Sequence, residues 1–111
     1  MDELQDELLK DLRIELADDL EDDSDVANLS LKVKNAIREV KMRRNYQKGC
    51  SREFIEQDMY QFYSVVYNLV IYDWNKIGAE GEKSHSDSGT SRSYVDREQY
   101  FAPVTPFATV V

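Results

Sequence analysis

Apolar positions recur along the first three quarters of the chain with helical rather than strand periodicity. Leu4, Leu8, Leu12, Leu16 and Leu20 stand four apart with Leu9 and Ala17 beside them, a stripe that predicts an amphipathic helix with an acidic outer face. "DDLEDDSD" ends it, and Ser24 or Asp25 is suited to cap the next helix. Val26, Leu29, Val33, Ala36, Ile37 and Val40 share the next face, with Lys32, Lys34, Arg38, Lys41, Arg43 and Arg44 on the rest. This pattern predicts a second helix of about 18–20 residues. In "NYQKGCS" Gly49 is suited to stop that helix and Ser51 to cap a third, with Phe54 behind it. Ile55, Met59, Phe62, Val66, Leu69, Val70 and Ile77 then form one stripe, while Tyr60, Tyr63, Tyr67, Tyr72 and Trp74 make much of the remaining surface apolar. A helix apolar nearly all round is buried on several sides.

Gly78 and Gly81 are expected to stop the third helix, and residues 82–93 are almost free of apolar side chains. The tail "YVDREQYFAPVTPFATVV" carries Pro103 and Pro106, which rule out one continuous helix and favour an extended path. The expected fold is therefore all-α: a small bundle of three main helices over residues 1–78, an extended Gly/Ser-rich arm over 79–93, and a proline-containing docking tail over 94–111.

With 111 residues, such a core is small, and association often completes folds of this size. Tyr and Trp are favoured where one end of the ring stays wet, so Tyr60, Tyr63, Tyr67 and Trp74 are candidates for a subunit interface. Charge is segregated. Residues 1–25 hold 12 acids and 2 bases, residues 26–52 hold 1 acid and 8 bases, and residues 53–111 hold 9 acids and 4 bases, for a net charge of −8. A head-to-tail subunit contact would use that dipole, with Arg38, Arg43 and Arg44 on its basic side. An acidic helix folded against a basic one within one chain would use it equally well.

Little in the chain points to catalysis. In "GAEGEKS" Glu82 separates Gly81 from Lys83, and a helix leads into the segment, so it does not meet the P-loop pattern. Asp22, Asp23 and Asp25 lack the central Gly and terminal Glu of a calcium loop. His85 is the single histidine and Cys50 the single cysteine, so neither a zinc set nor an internal disulfide is expected. The expectation is a non-enzyme without metal or cofactor. "MDELQDELLKDL" has acidic flanks unlike a signal peptide, and the stretch Phe54 to Ile77 is too interrupted by polar residues to span a membrane; a soluble protein of a reducing cytoplasm is expected. The cations of "KVKNAIREVKMRRNYQK" leave a small DNA-binding packaging or regulatory protein as one alternative, and a free-standing helical interaction module as another.

An acidic leucine helix, a second helix ending near "RNYQ", a long aromatic helix running into "WNKIGAEGEKSHSDSGTSRSY" and a short proline-containing tail together resemble the phage head–tail connector proteins, also called head-completion or adaptor proteins. The resemblance covers most of the chain and is most specific in that quoted stretch. It implies a virion protein of the phage neck, assembled in the host cytoplasm. Its subunits would form a ring, generally dodecameric, beneath the portal protein, extending the DNA channel and offering a platform for the stopper or tail-completion protein. Double-stranded DNA would pass through without specific binding. Under this resemblance Tyr94 would anchor the arm, and Tyr100, Phe101, Pro103, Val104, Pro106 and Phe107 would dock on the portal or a neighbouring subunit. Glu80, Glu82 and Asp87 are candidates for acids that face the channel and repel phosphate.

Overall fold

The computed structural model describes the backbone of residues 3–81 and 97–107 and the side chains of residues 3–75 and 97–107. Within these residues the chain is an all-α bundle without strands. Helix α1 spans Glu3–Glu15, α2 Asp23–Arg44, α3 Arg52–Met59 and α4 Tyr63–Gly81, with short 3-10 turns at Ala17–Asp19, Tyr60–Phe62 and Arg97–Phe101. The expected third helix is thus α3 and α4 joined by a tighter turn. At that turn the Gln61 side chain donates to both the backbone oxygen and the carboxylate of Asp58, and the local change of pitch turns both Met59 and Phe62 inward.

Local chemistry sets the helix ends. Asp22 caps α2: its carboxylate accepts from the Asp25 backbone N–H at 3.0 Å, while the Asp25 carboxylate reaches back to the Glu21 N–H at 2.9 Å. This reciprocal box places the cap ahead of the Ser24 or Asp25 expected from sequence, because an N-cap side chain must lie before the first free N–H groups it satisfies. At the other end α2 stops at Asn45, in the left-handed region with φ 59°, a conformation Asn tolerates better than most residues. Gly49, expected as the stop, lies instead in the following turn with φ 99°. Ser51 caps α3 as expected, its hydroxyl accepting from the Phe54 N–H at 3.0 Å. Helix α4 passes through Gly78 to Gly81, so residues 79–81, assigned above to an extended arm, continue the helix.

One core unites the elements. Leu4, Leu8 and Leu12 of α1, Leu29, Val33, Ala36 and Val40 of α2, and Val66, Leu69 and Val70 of α4 are fully buried, with Met59 from α3. Each such Leu, Val or Met side chain contributes about 1.5–3 kcal/mol by leaving water. Phe101 and Val104 of the tail belong to the same cluster. The tail therefore completes the domain's own core. No helix among the described residues is long and apolar enough to cross a membrane.

Candidate assembly surface

Three arginines fasten residues 97–107 as a strap across the bundle. Arg97 forms forked pairs with two carboxylates at once, Glu39 of α2 at 2.7 and 2.8 Å and Asp73 of α4 at 2.9 Å to each oxygen. Two anions around one guanidinium raise its pKa further above its ordinary value, through hydrogen bonds to Glu39 and then Asp73. Arg43 pairs with Glu98 and lies 3.9 Å over the Phe101 ring. Arg44 holds Asp58 through two nitrogens at 2.8 and 3.1 Å, donates to the Thr105 carbonyl at 2.6 Å, and lies 3.8 Å over the Phe107 ring. Tyr46 adds a hydroxyl bond to Asp58 at 2.7 Å. The Arg44 hydrogen bond, with that of Tyr46, holds the Asp58 carboxyl below the usual carboxylate range despite its burial.

The strap ends against the exit of α2. The Phe107 N–H donates to the Arg44 carbonyl at 2.8 Å, and Asn45 donates to the Phe107 carbonyl at 2.9 Å. Phe107 packs with Tyr46 and Phe54, and Tyr100 meets Tyr72 edge-on. Phe101 and Val104 are therefore seated within their own chain, as are the half-buried Tyr100 and Phe107. These four residues, expected to fill pockets on the portal or a neighbouring subunit, are seated in this chain because the described chain from Arg97 packs on α2 and α4. Pro103 and Pro106 are exposed on the strap's outer side. Tyr94 lies outside the described residues.

A second seam joins α1 to α4. Glu3, Asp11 and Glu15 lie on one flank of α1, eight and four residues apart, multiples of the spacing that lines up side chains along a helix. Tyr60, in the turn before α4, and Tyr63 and Tyr67 of α4 stand opposite: Tyr60 donates to Glu3 at 3.2 Å, Tyr67 to Glu15 at 3.1 Å, and Tyr63 to Asp11. The Tyr63 and Tyr67 rings are stacked, with centroids 6.0 Å apart. Burial first, then the bond to Asp11, pushes the Tyr63 phenol up to about 12. Three of the aromatic residues proposed for a subunit interface thus tie the acidic helix to its own bundle, and Trp74 is half-buried against the core.

The cations of α2 divide accordingly. Arg43 and Arg44, candidates for the subunit contact, are engaged within the chain, Arg43 with Glu98 of the strap and Arg44 with both Asp58 of α3 and the strap at Thr105 and Phe107. Lys34 and Arg38 stand exposed with no ion pair among the described residues. Of the acids suggested for a channel, Glu80 falls in the last turn of α4 with its side chain outside the described set, and Glu82 and Asp87 lie outside the described residues. Composition could not reveal the Arg97 clamp, since a lone arginine between acidic neighbours in "VDREQ" reads as solvated charge. Its only signal is that an apolar segment follows it and must be seated somewhere.

No protein-family model, curated protein or solved structure matches this chain.

Proposed function

We propose that this chain is a head–tail connector subunit of a tailed phage: a structural virion protein that assembles as a ring beneath the portal, extends the DNA channel and supports the stopper or tail. The observation that carries the reading is that the helical body holds the chain on both sides of the Ser-rich segment, at the end of α4 and at Arg97. Residues 82–96 leave the end of α4 at Gly81 and return at Arg97, which is held to Glu39 and to Asp73, eight residues back along the same helix. The chain on both sides of this segment is thus fixed to one helical body, and the hydroxyls of Ser84, Ser86, Ser88, Thr90, Ser91 and Ser93 suit contact with a channel wall or a neighbouring subunit. The stretch quoted for the family resemblance, residues 74–94, comprises the end of α4 and most of this same segment.

Native mass spectrometry of the protein with the portal protein of the same genome tests the reading. One copy bound per portal subunit is the expected result. Absence of any complex, with tight and steeply salt-dependent binding to duplex DNA in a gel shift, would replace it with a DNA-binding role.

A further inference from the structure

The outward face of α2 is unpartnered, and its chemistry is specific. Leu31 is 54% and Met42 77% exposed, and Lys34 and Arg38 lie between them on the same side of the helix, opposite the buried stripe of Leu29, Val33, Ala36 and Val40. Large apolar side chains framing unpaired cations call for a partner that brings both apolar surface and negative charge.

The α1–α2 turn of the same protein offers that combination. Asp18, Asp19, Glu21 and Asp23 are exposed and make no ion pair among the described residues, and Ile14, one turn earlier, is 71% exposed. Asp22 and Asp25 are committed to the helix cap and are left out of the contact. Within one chain the two surfaces cannot meet: Asp23 begins α2 and Lys34 lies eleven residues further along it, about 17 Å away.

We infer that the Leu31–Met42 face of α2 docks on the Ile14 and Asp18–Asp23 surface of a second copy, in a head-to-tail contact. The two surfaces differ, so the contact is heterologous and repeats around a ring or along a filament instead of ending at a dimer. Duplex DNA is a poorer occupant of the same face, because a phosphate backbone following α2 toward its N-terminus would run onto the acidic turn. This contact deepens the ring reading by naming its subunit interface, and it rests on that reading only for the closure of the repeat.

Charge reversal tests it. One variant carries Lys34→Glu and Arg38→Glu, the other Asp18→Lys and Asp19→Lys; all four positions are exposed, and circular dichroism establishes that both variants fold. Sedimentation at millimolar concentration and low salt reads self-association. The wild type is expected to associate in a salt-sensitive manner, and each variant alone is expected to lose association by about tenfold or more, since like charges then face each other. An equimolar mixture of the two regains it, because each supplies the surface the other lacks. A wild type that stays monomeric under these conditions overturns the contact, as does association that survives in both separate variants. Portal binding by such a monomer would leave the connector reading standing without this interface. Self-association with no portal complex would do the reverse.

Discussion

Arg97→Ala should release the strap at its entry point, and its cost can be worked from the geometry. The substitution removes four nitrogen-to-oxygen contacts between 2.7 and 2.9 Å and leaves Glu39 and Asp73 facing each other without a cation. Hydrogen bonds to charged groups are each worth about 1.5–3 kcal/mol when buried, whereas exposed ion pairs reach only about 0–1 kcal/mol. Side-chain exposures of 28% for Arg97, 37% for Glu39 and 25% for Asp73 put the clamp between those limits, at about 2 kcal/mol for the whole group. In a domain of this size that lowers the melting temperature by about 10 °C. Urea titration followed by the fluorescence of the half-buried Trp74 measures the stability, and hydrogen exchange at Val104 and Phe107, whose N–H groups are bonded to Phe101 and Arg44, reports the strap itself. Adding Glu39→Gln and Asp73→Asn to Arg97→Ala should recover part of the loss by removing the repulsion. Arg97→Lys should recover less than half, because an ammonium cannot fork to two carboxylates. An unchanged urea midpoint together with unchanged exchange at both amides would refute the clamp.

Two further outcomes follow from the caps and the tyrosine seam. Ser51→Ala removes the hydroxyl that accepts from the Phe54 N–H and should cost about 1 kcal/mol in a urea titration, whereas Ser64→Ala, at an exposed position inside α4, should change stability by under about 0.5 kcal/mol. The folded-state pKa of Tyr63, raised to about 12 from 10.0, makes its contribution fully present below pH 10 and lost as pH rises through 12; alkaline melts followed by phenolate absorbance should therefore show a destabilising step in that window, absent in Tyr63→Phe.

The helices were legible because their signals are local. The four-residue leucine spacing of α1 and the capping serine at position 51 need no knowledge of the rest of the chain, and both stand in the structure. The end of α2 lies four residues before the expected Gly49 because Asn also accepts a left-handed backbone, and the apolar stripe of α2 ends at Val40, so the chain turns at Asn45. The seat of the strap is illegible for a different reason. Prolines and unpatterned aromatics indicate that a segment must dock, but whether it docks on its own chain depends on partners such as Glu39 and Asp73, far away in sequence. The tyrosines of α4 were similarly ambiguous, since a phenol with a wet end suits an interface and a carboxylate-lined helix seam equally.

A strap seated at home changes what an assembled ring would be built from. Phe101 and Val104 each stand under a tenth exposed within their own domain, so recruiting them to a partner would require peeling the strap away and breaking the ion pairs of Arg97 and Arg43 with it. Contacts that need no such opening lie elsewhere: the cation-bearing face of α2, the acidic turn before it, and the outer side of the strap at Pro103 and Pro106. The division of the arginines follows the same logic. Arg43, Arg44 and Arg97, beside aromatic rings and carboxylates, are used in full to close the fold, while Lys34 and Arg38 gain nothing from their own chain. Unpaired cations framed by exposed Leu31 and Met42 add solubility but no stability to a solitary domain, whereas in the proposed head-to-tail repeat they would face Asp18, Asp19, Glu21 and Asp23 around the turn after α1. Because Glu3, Asp11 and Glu15 of α1 take tyrosine hydroxyls rather than cations as partners, the exposed cations of α2 and the acids of the turn would remain available to a second copy, as the proposed contact requires.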